Sequence, residues 1–185
     1  TIEAARAGAH GAGFAVVEVP INGIYLKKFV RDLKEDPWEL ARMVAKKMPH
    51  AVKACMAGGN LNPFGAPSPK AVARIFYERL AAIGALNRVQ TFANTYGQME
   101  NEFLWTIPMF KELGFQVAIA LSYTISPRHT DEYYAQKMRG ILAFKPDLVY
   151  MEDQCGILTP DRARTLIPAR VQNAGGRPVE RHAHC

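Results

Sequence analysis

Leu148-Val149-Tyr150-Met151-Glu152, then Thr159-Pro160, then Pro178-Val179-Glu180-Arg181-His182-Ala183-His184 form the stretch whose reading decides the fold. Its two ends are short runs, the first carrying Val149 and Tyr150 and the second Val179, set off by turn-forming residues, which is strand chemistry. Between them, Thr159 offers a side-chain oxygen just ahead of Pro160 at a first helical position, a pairing that starts helices. Ala163, Leu166, Ile167 and Val171 then recur on one helical face with Arg170 at its edge, a stripe suited to packing on a sheet.

The same unit repeats toward the N-terminus. Strand-like runs occur at Ala15-Val16-Val17-Glu18-Val19, at residues 51–56, at Arg88-Val89-Gln90-Thr91-Phe92 and at residues 116–124. They lie roughly 30–37 residues apart, the length of one βα unit. Six strands alternating with helices predict a parallel sheet with helices outside it. Asp36-Pro37-Trp38-Glu39 and Ser68-Pro69 repeat the cap-plus-Pro signal, with Glu39 placed to reach back to the cap. Gly84, Gly114 and Gly175 fall where helices should stop. Pro108 is expected to kink or split the helix over residues 99–113.

The 185 residues are 49% apolar and 22% charged, globular proportions that exclude disorder and collagen-like structure. The length suits one domain, and we read residues 1–185 as a single one. No apolar run approaches the ~18 residues of a membrane span. The start, Thr1-Ile2-Glu3-Ala4-Ala5-Arg6, has no basic segment leading into an apolar core, so no signal peptide is expected. It lacks Met as well, which suits a processed, trimmed or partial chain. Lys and Arg number 23 against 17 Asp and Glu, for a net +6. The basic residues are scattered among acids, with Lys27, Lys28 and Lys34 the densest group, so nucleic acid is not expected as a partner. Scattered surface charge or an anionic small substrate fits that pattern. Cys55, Cys155 and Cys185 lie far apart with no CxxC pair, which disfavours a disulfide framework or a zinc ribbon and makes the cytoplasm the expected compartment.

Two closures fit six βα units: an open doubly wound sheet or a (β/α)8 barrel. No GxGxxG or GxxxxGK[ST] follows the first strand, which weakens the nucleotide-binding sheet. Gly8-Ala9-His10-Gly11-Ala12-Gly13 precedes that strand and reads as a helix end and turn. A barrel needs eight strands and at least ~200 residues, about two units more than this chain shows. The turn-rich loop from Gly58 to Pro67 follows a strand, where α/β proteins place ligand contacts.

His182-Ala183-His184 is the sharpest chemical feature. Residues i and i+2 of a strand share a face, so two imidazoles converge in a spacing that suits cis coordination of one divalent ion. Glu152-Asp153 ends the preceding strand and brings a carboxylate to the same rim. Two histidines and a carboxylate with open positions describe a catalytic metal site rather than a closed structural one. Glu18 is placed to reach the rim, and Gln90, Thr91 and Asn94 offer hydrogen bonds to a substrate. Ser122-Tyr123-Thr124 ends the fourth strand; Thr130 is expected to cap the next helix, and His129 reads as a loop residue. Cys155 and Cys185 read as unreactive neighbours of the metal rather than ligands or nucleophiles. No G-x-S-x-G elbow exists, which disfavours serine hydrolysis.

Five segments occur in a familiar order: Glu35-Asp36-Pro37-Trp38-Glu39, Gly59-Asn60-Leu61, residues 122–130 (SYTISPRHT), residues 152–160 (EDQCGILTP) and His182-Ala183-His184. Together they resemble the carboxyltransferase domain shared by pyruvate carboxylase and the α subunit of oxaloacetate decarboxylase, within the HMG-CoA-lyase-like group of metal-dependent barrels. The resemblance covers nearly the whole chain. It implies a TIM barrel whose second to seventh strands are the six visible ones. It also implies a divalent metal (Zn, Mn or Co) at the C-terminal mouth, held by a first-strand Asp, a carboxylated Lys and the HxH. His182 and His184 match the histidine ligands, and Glu152 stands where the resemblance has its Lys. Glu is a shorter anionic oxygen ligand, and its presence speaks against biotin, the other cofactor implied. Ala57 replaces an Arg, and Gln90-Thr91-Phe92-Ala93 replaces an R-x-F-D pattern. The first-strand Asp and a threonine after HxH would lie outside residues 1–185.

The implied function is a metal-dependent carboxyltransferase-like enzyme acting on a small 2-oxo acid through a metal-stabilised enolate. His182, His184 and Glu152 are its expected metal ligands, Glu152 and Asp153 its expected catalytic pair, and Gln90 and Thr124 its expected substrate contacts. A biotin carrier domain or subunit and an oligomeric assembly are the partners implied. The alternatives are a biotin-independent aldolase or lyase of the same superfamily, and a non-catalytic homologue or fragment.

Overall fold

The computed structural model describes residues 14–58 and 68–184. The expected turn from Gly8 to Gly13, most of the loop after the second strand with its Gly59-Asn60-Leu61 motif, and Cys185 lie outside the described residues. The chain divides into two compact units, Thr1–Gln90 with Met109–Gln116, and Thr91–Pro108 with Val117–Cys185.

In the first unit, β1 (Val16–Glu18), β2 (Val52–Met56) and the start of β3 (Arg88–Phe92) run parallel, with Val17 opposite Lys53 and Cys55 opposite Val89. Between β1 and β2, α1 (Gly23–Lys27) leads through a π-helical turn at Lys28–Leu33 to α2 (Pro37–Lys47). Asp36 caps α2 as expected, accepting from the Trp38 amide at 2.9 Å. Glu39, expected to reach back to the cap, pairs with Arg42 one helical turn on. The cap expected at Ser68 is displaced by one residue. The cap position of α3 (Lys70–Ile83) is Pro69, which has no polar side chain and supplies only its carbonyl, to Val72 and Ala73. Gly84 ends α3 at φ +70°, where its N–H returns to Leu80 and Ala81 carbonyls. Tyr77 packs edge-on against Phe76 and Phe110 in the buried centre of this unit.

The second unit begins with the end of β3 and continues through α4 (Tyr96–Gln98), a π-helical turn at Met99–Phe103 and the start of α5 (Leu104–Glu112), whose residues from Met109 on belong to the first unit. Pro108 does not split this run. It removes one amide donor, yet the helix continues through it, and the departure from α geometry lies before Leu104. Then follow β4 (Gln116–Ser122), α6 (Asp131–Leu142), β5 (Leu148–Asp153), α7 (Pro160–Gln172) and β6 (Val179–Ala183). Thr130 and Thr159 cap α6 and α7, accepting from the Tyr133 and Arg162 amides.

One sheet face gathers Ala118, Ala120, Leu148 and Tyr150, with Phe92 against them. The other buries Met151 and Tyr123 against Tyr134 of α6 and Leu166 of α7. The α7 stripe is rotated from its expected setting. Arg170, at 1% exposure, lies inside it, and Val171 faces out. Arg170 stacks over Tyr134 at 4.2 Å and donates to the Leu121 carbonyl at 3.5 Å, and burial brings its pKa down to about 10.

Strand order is β1-β2-β3-β4-β5-β6. An order that never reverses has no topological switch point, which removes the doubly wound alternative and leaves a partial TIM barrel. No helix among the described residues is long and apolar enough to cross a membrane.

Candidate metal and substrate site

Parallel register builds the site. Ser122 of β4 is opposite Glu152 of β5, which is opposite His182 of β6. Register partners share a sheet face, so the three form one row at the C-terminal ends of their strands, and His184 follows two residues beyond. Glu152 is 3% exposed. Ser122 Oγ donates to Asn94 Oδ1 at 2.6 Å and lies 3.4 Å from Glu152 Oε2.

The two imidazoles meet. Nε2 of His182 and Nε2 of His184 are 3.0 Å apart, with ring centroids 5.0 Å apart. One ring shares a proton with the other at that distance. Two nitrogens bound to one ion at ~2.1 Å and a right angle would also be ~3.0 Å apart, so the pair fits divalent-metal chemistry. Among the described residues, no group of three or more His, Cys, Asp or Glu is placed to hold a metal ion. The imidazole pair is thus formed, with Glu152 as its register neighbour.

Asp153 points elsewhere. Its Oδ1 accepts from the Ile157 amide at 3.0 Å and its Oδ2 from the Leu158 amide at 2.8 Å. Its carbonyl accepts from Gly156 and His184 amides. One residue therefore ties down the loop after β5 and the end of β6 together. Cys155, on that loop, is exposed and unbridged.

The remaining expected residues divide between the units. Thr124 belongs to the second, where its amide donates to Tyr134 Oη at 3.0 Å and its carbonyl accepts from the same hydroxyl. Gln90 belongs to the first, where its carbonyl accepts from the Ala57 amide at 2.7 Å. Thr91 is buried at the start of the second, and Glu18 is exposed in the first. Two side chains in the second unit carry chemistry that sequence reasoning missed. His129, read as a loop residue, hydrogen-bonds Ser126 Oγ through Nδ1 at 2.7 Å and lines a cavity. Lys137 lines the same cavity from α6. A lysine inside an amphipathic helix ordinarily reads as solvent-facing, so no sequence signal marks it.

No family model matches the chain. The 2-oxoglutarate carboxylase large subunit of Hydrogenobacter thermophilus is 30% identical over 93% of this chain and 26% of its own length. A pyruvate carboxylase subunit from Methanocaldococcus jannaschii is 28% identical over 94% of this chain and 30% of its own length. The methylmalonyl-CoA carboxyltransferase 5S subunit of Propionibacterium freudenreichii subsp. shermanii is 28% identical over 94% of this chain and 34% of its own length. The carboxyl transferase domain of Rhizobium etli pyruvate carboxylase superposes with a TM-score of 0.77 at 22% identity, covering 88% of this chain and 28% of that one. The chain thus spans about a third or less of the length of these relatives.

Strand order and superposition together define a fold class, an α/β partial barrel similar to that carboxyl transferase domain. Within that class, the carboxyltransferase domain of pyruvate carboxylase, the resemblance carried by the sequence motifs, is the one that the relatives' names and the structural neighbours match.

Proposed function

We propose that this chain is part of a metal-dependent carboxyltransferase-like enzyme that acts on a small 2-oxo acid by enolate chemistry. The observation that carries this reading is the imidazole pair, His182 and His184 at 3.0 Å, beside Glu152 at the C-terminal strand ends where α/β barrels keep their active sites. Relatives named as carboxylases and a carboxyltransferase support it.

In this reading His182 and His184 hold a divalent ion and Glu152 adds an anionic oxygen. The ion, when bound, supplies Lewis acidity toward the 2-oxo carbonyl. The chain's own groups do the rest. Buried Glu152 places a carboxyl group next to the histidines. Asp153 keeps the loop after β5 and the His184 amide in place. Gln90 and Thr124 are the proposed substrate contacts, and a biotin carrier and an oligomeric assembly are the proposed partners.

A second reading, a biotin-independent aldolase or lyase, is favoured by Glu152 itself. A carboxylate cannot be carboxylated as the lysine implied at that position can. Avidin inhibition of the full-length enzyme would mark the first reading, and insensitivity the second.

Metal analysis of the purified full-length protein tests the shared premise. Near-stoichiometric divalent metal in the wild type, lost in His182→Ala and His184→Ala, is the expected result. A metal-free wild type, or variants that retain the same metal, would overturn it.

A further inference from the structure

We propose that a cavity beside the C-terminal end of β4, within the second unit, binds a small carboxylate anion through the ammonium group of Lys137. The cavity measures about 120 Å³ and is lined by Asn94, Ser122, Thr124, His129, Tyr133 and Lys137 among others. None of its lining residues is acidic.

Lys137 is the reason for the assignment. It is 2% exposed. Its Nζ donates to the Ala93 carbonyl at 2.6 Å and lies 5.0 Å and 5.7 Å from the ring centroids of Tyr96 and Tyr133. An ammonium has three donors, and one carbonyl and two ring faces do not supply a counter-charge. Among the described residues no carboxylate pairs with it. Burying a charge without a partner is costly, and that cost lowers its pKa. An anion entering the cavity would remove the penalty.

The lining selects the kind of anion. The Thr124 hydroxyl, the Asn94 amide NH2 and the His129 ring offer hydrogen bonds around a single cation, which suits a planar monoanion, while the Ser122 hydroxyl is already committed to Asn94 Oδ1. The volume is about that of a few water molecules, so a molecule of few heavy atoms fits. The cavity shares Thr124 with the proposed substrate contacts, but this inference does not rest on the metal reading, because His182, His184 and Glu152 do not line it. Each can fail while the other stands.

The test titrates the full chain with acetate, pyruvate, inorganic phosphate and neutral acetamide, following melting temperature and calorimetric heat. Acetate and pyruvate should bind and raise the melting temperature, and acetamide should not. Lys137→Met, with an unchanged circular dichroism spectrum, should weaken carboxylate binding roughly tenfold or more. A wild-type measurement stands if that variant does not fold. As pH approaches the ordinary lysine value from below, carboxylate binding should take up protons, because the anion returns Lys137, whose pKa burial lowers, to its charged form. The uptake is read from the heat in buffers of different ionisation enthalpy. No carboxylate binding, equal binding of acetamide, undiminished binding by a folded Lys137→Met, or absent proton uptake would overturn the proposal. Binding of phosphate alone would overturn the choice of carboxylate.

Discussion

Glu152 of β5 and His182 of β6 are direct register partners across a parallel strand pair, so the carboxylate and the first imidazole occupy neighbouring positions on one sheet face. Their proximity is set by backbone hydrogen bonding and does not depend on a flexible loop. If Glu152 supplies the anionic oxygen to a bound ion, Glu152→Ala should weaken divalent-metal affinity by at least about 10–100-fold, the range seen when a group that merely supports a ligand is lost. Cobalt titration followed by its visible spectrum reads this directly. Unchanged affinity in a folded Glu152→Ala protein would remove Glu152 from the site.

Asp153 should matter more for stability than for charge. Its two carboxylate oxygens accept from two consecutive loop amides, Ile157 and Leu158. Hydrogen bonds to a charged group are worth about 1.5–3 kcal/mol each, so losing both at buried Asp153 in Asp153→Ala should cost about 3–6 kcal/mol in urea unfolding. Proteolysis within residues 154–158 should accelerate in the same variant. A loss under ~0.5 kcal/mol would show that the loop holds itself.

These two residues also mark the limits of what was legible in the chain. Six strand runs were legible because each is short, carries Val and is separated from the next by a helical stretch, and the caps at Asp36, Thr130 and Thr159 declare themselves by chemistry. The His182–His184 convergence follows from the i, i+2 geometry of a strand. The Ser122–Glu152–His182 row needs the register between strands, which no local pattern encodes. Arg170 and Val171 exchange expected roles because a helical stripe read by hydropathy cannot anticipate an arginine stacked under a tyrosine. Lys137 was invisible for the same reason.

Lys137 makes a pH prediction whose sign can be worked out. Burial depresses its pKa in the folded state, so the unfolded chain holds the proton more tightly. Below the folded-state value the lysine is charged in both states, and the folded protein carries the full penalty. As pH rises from that value toward the ordinary lysine value, the folded state releases its proton first and stability rises. Lys137→Met removes the penalty at every pH. Its stability advantage over the wild type should therefore be largest at neutral pH and shrink toward about pH 10. Paired urea titrations at pH 7 and 9.5 measure the difference. An advantage that stays constant or widens with pH would contradict the charged, buried state of Lys137.

Cysteine labelling offers a readout of the first unit. Cys55 lies on β2 between β1 and β3 and is fully buried, and burial together with the charge of Glu18 pushes its thiol pKa well above the ordinary range. Cys155 is exposed on the loop after β5. Alkylation requires the thiolate and access to it. At pH 8, iodoacetamide should modify Cys155 quickly. It should reach Cys55 only when the sheet opens, at least about a thousandfold more slowly if that opening costs as much as unfolding an ordinary small domain. Peptide mass spectrometry over a time course separates the two sites, and mild urea should accelerate Cys55 alone. The raised thiol pKa adds a sign. The neutral form is favoured in the folded state, so this contribution is complete below the ordinary thiol value and falls as pH rises above it. Comparable native-state rates at the two cysteines would mean that β2 is not held between its neighbours in solution.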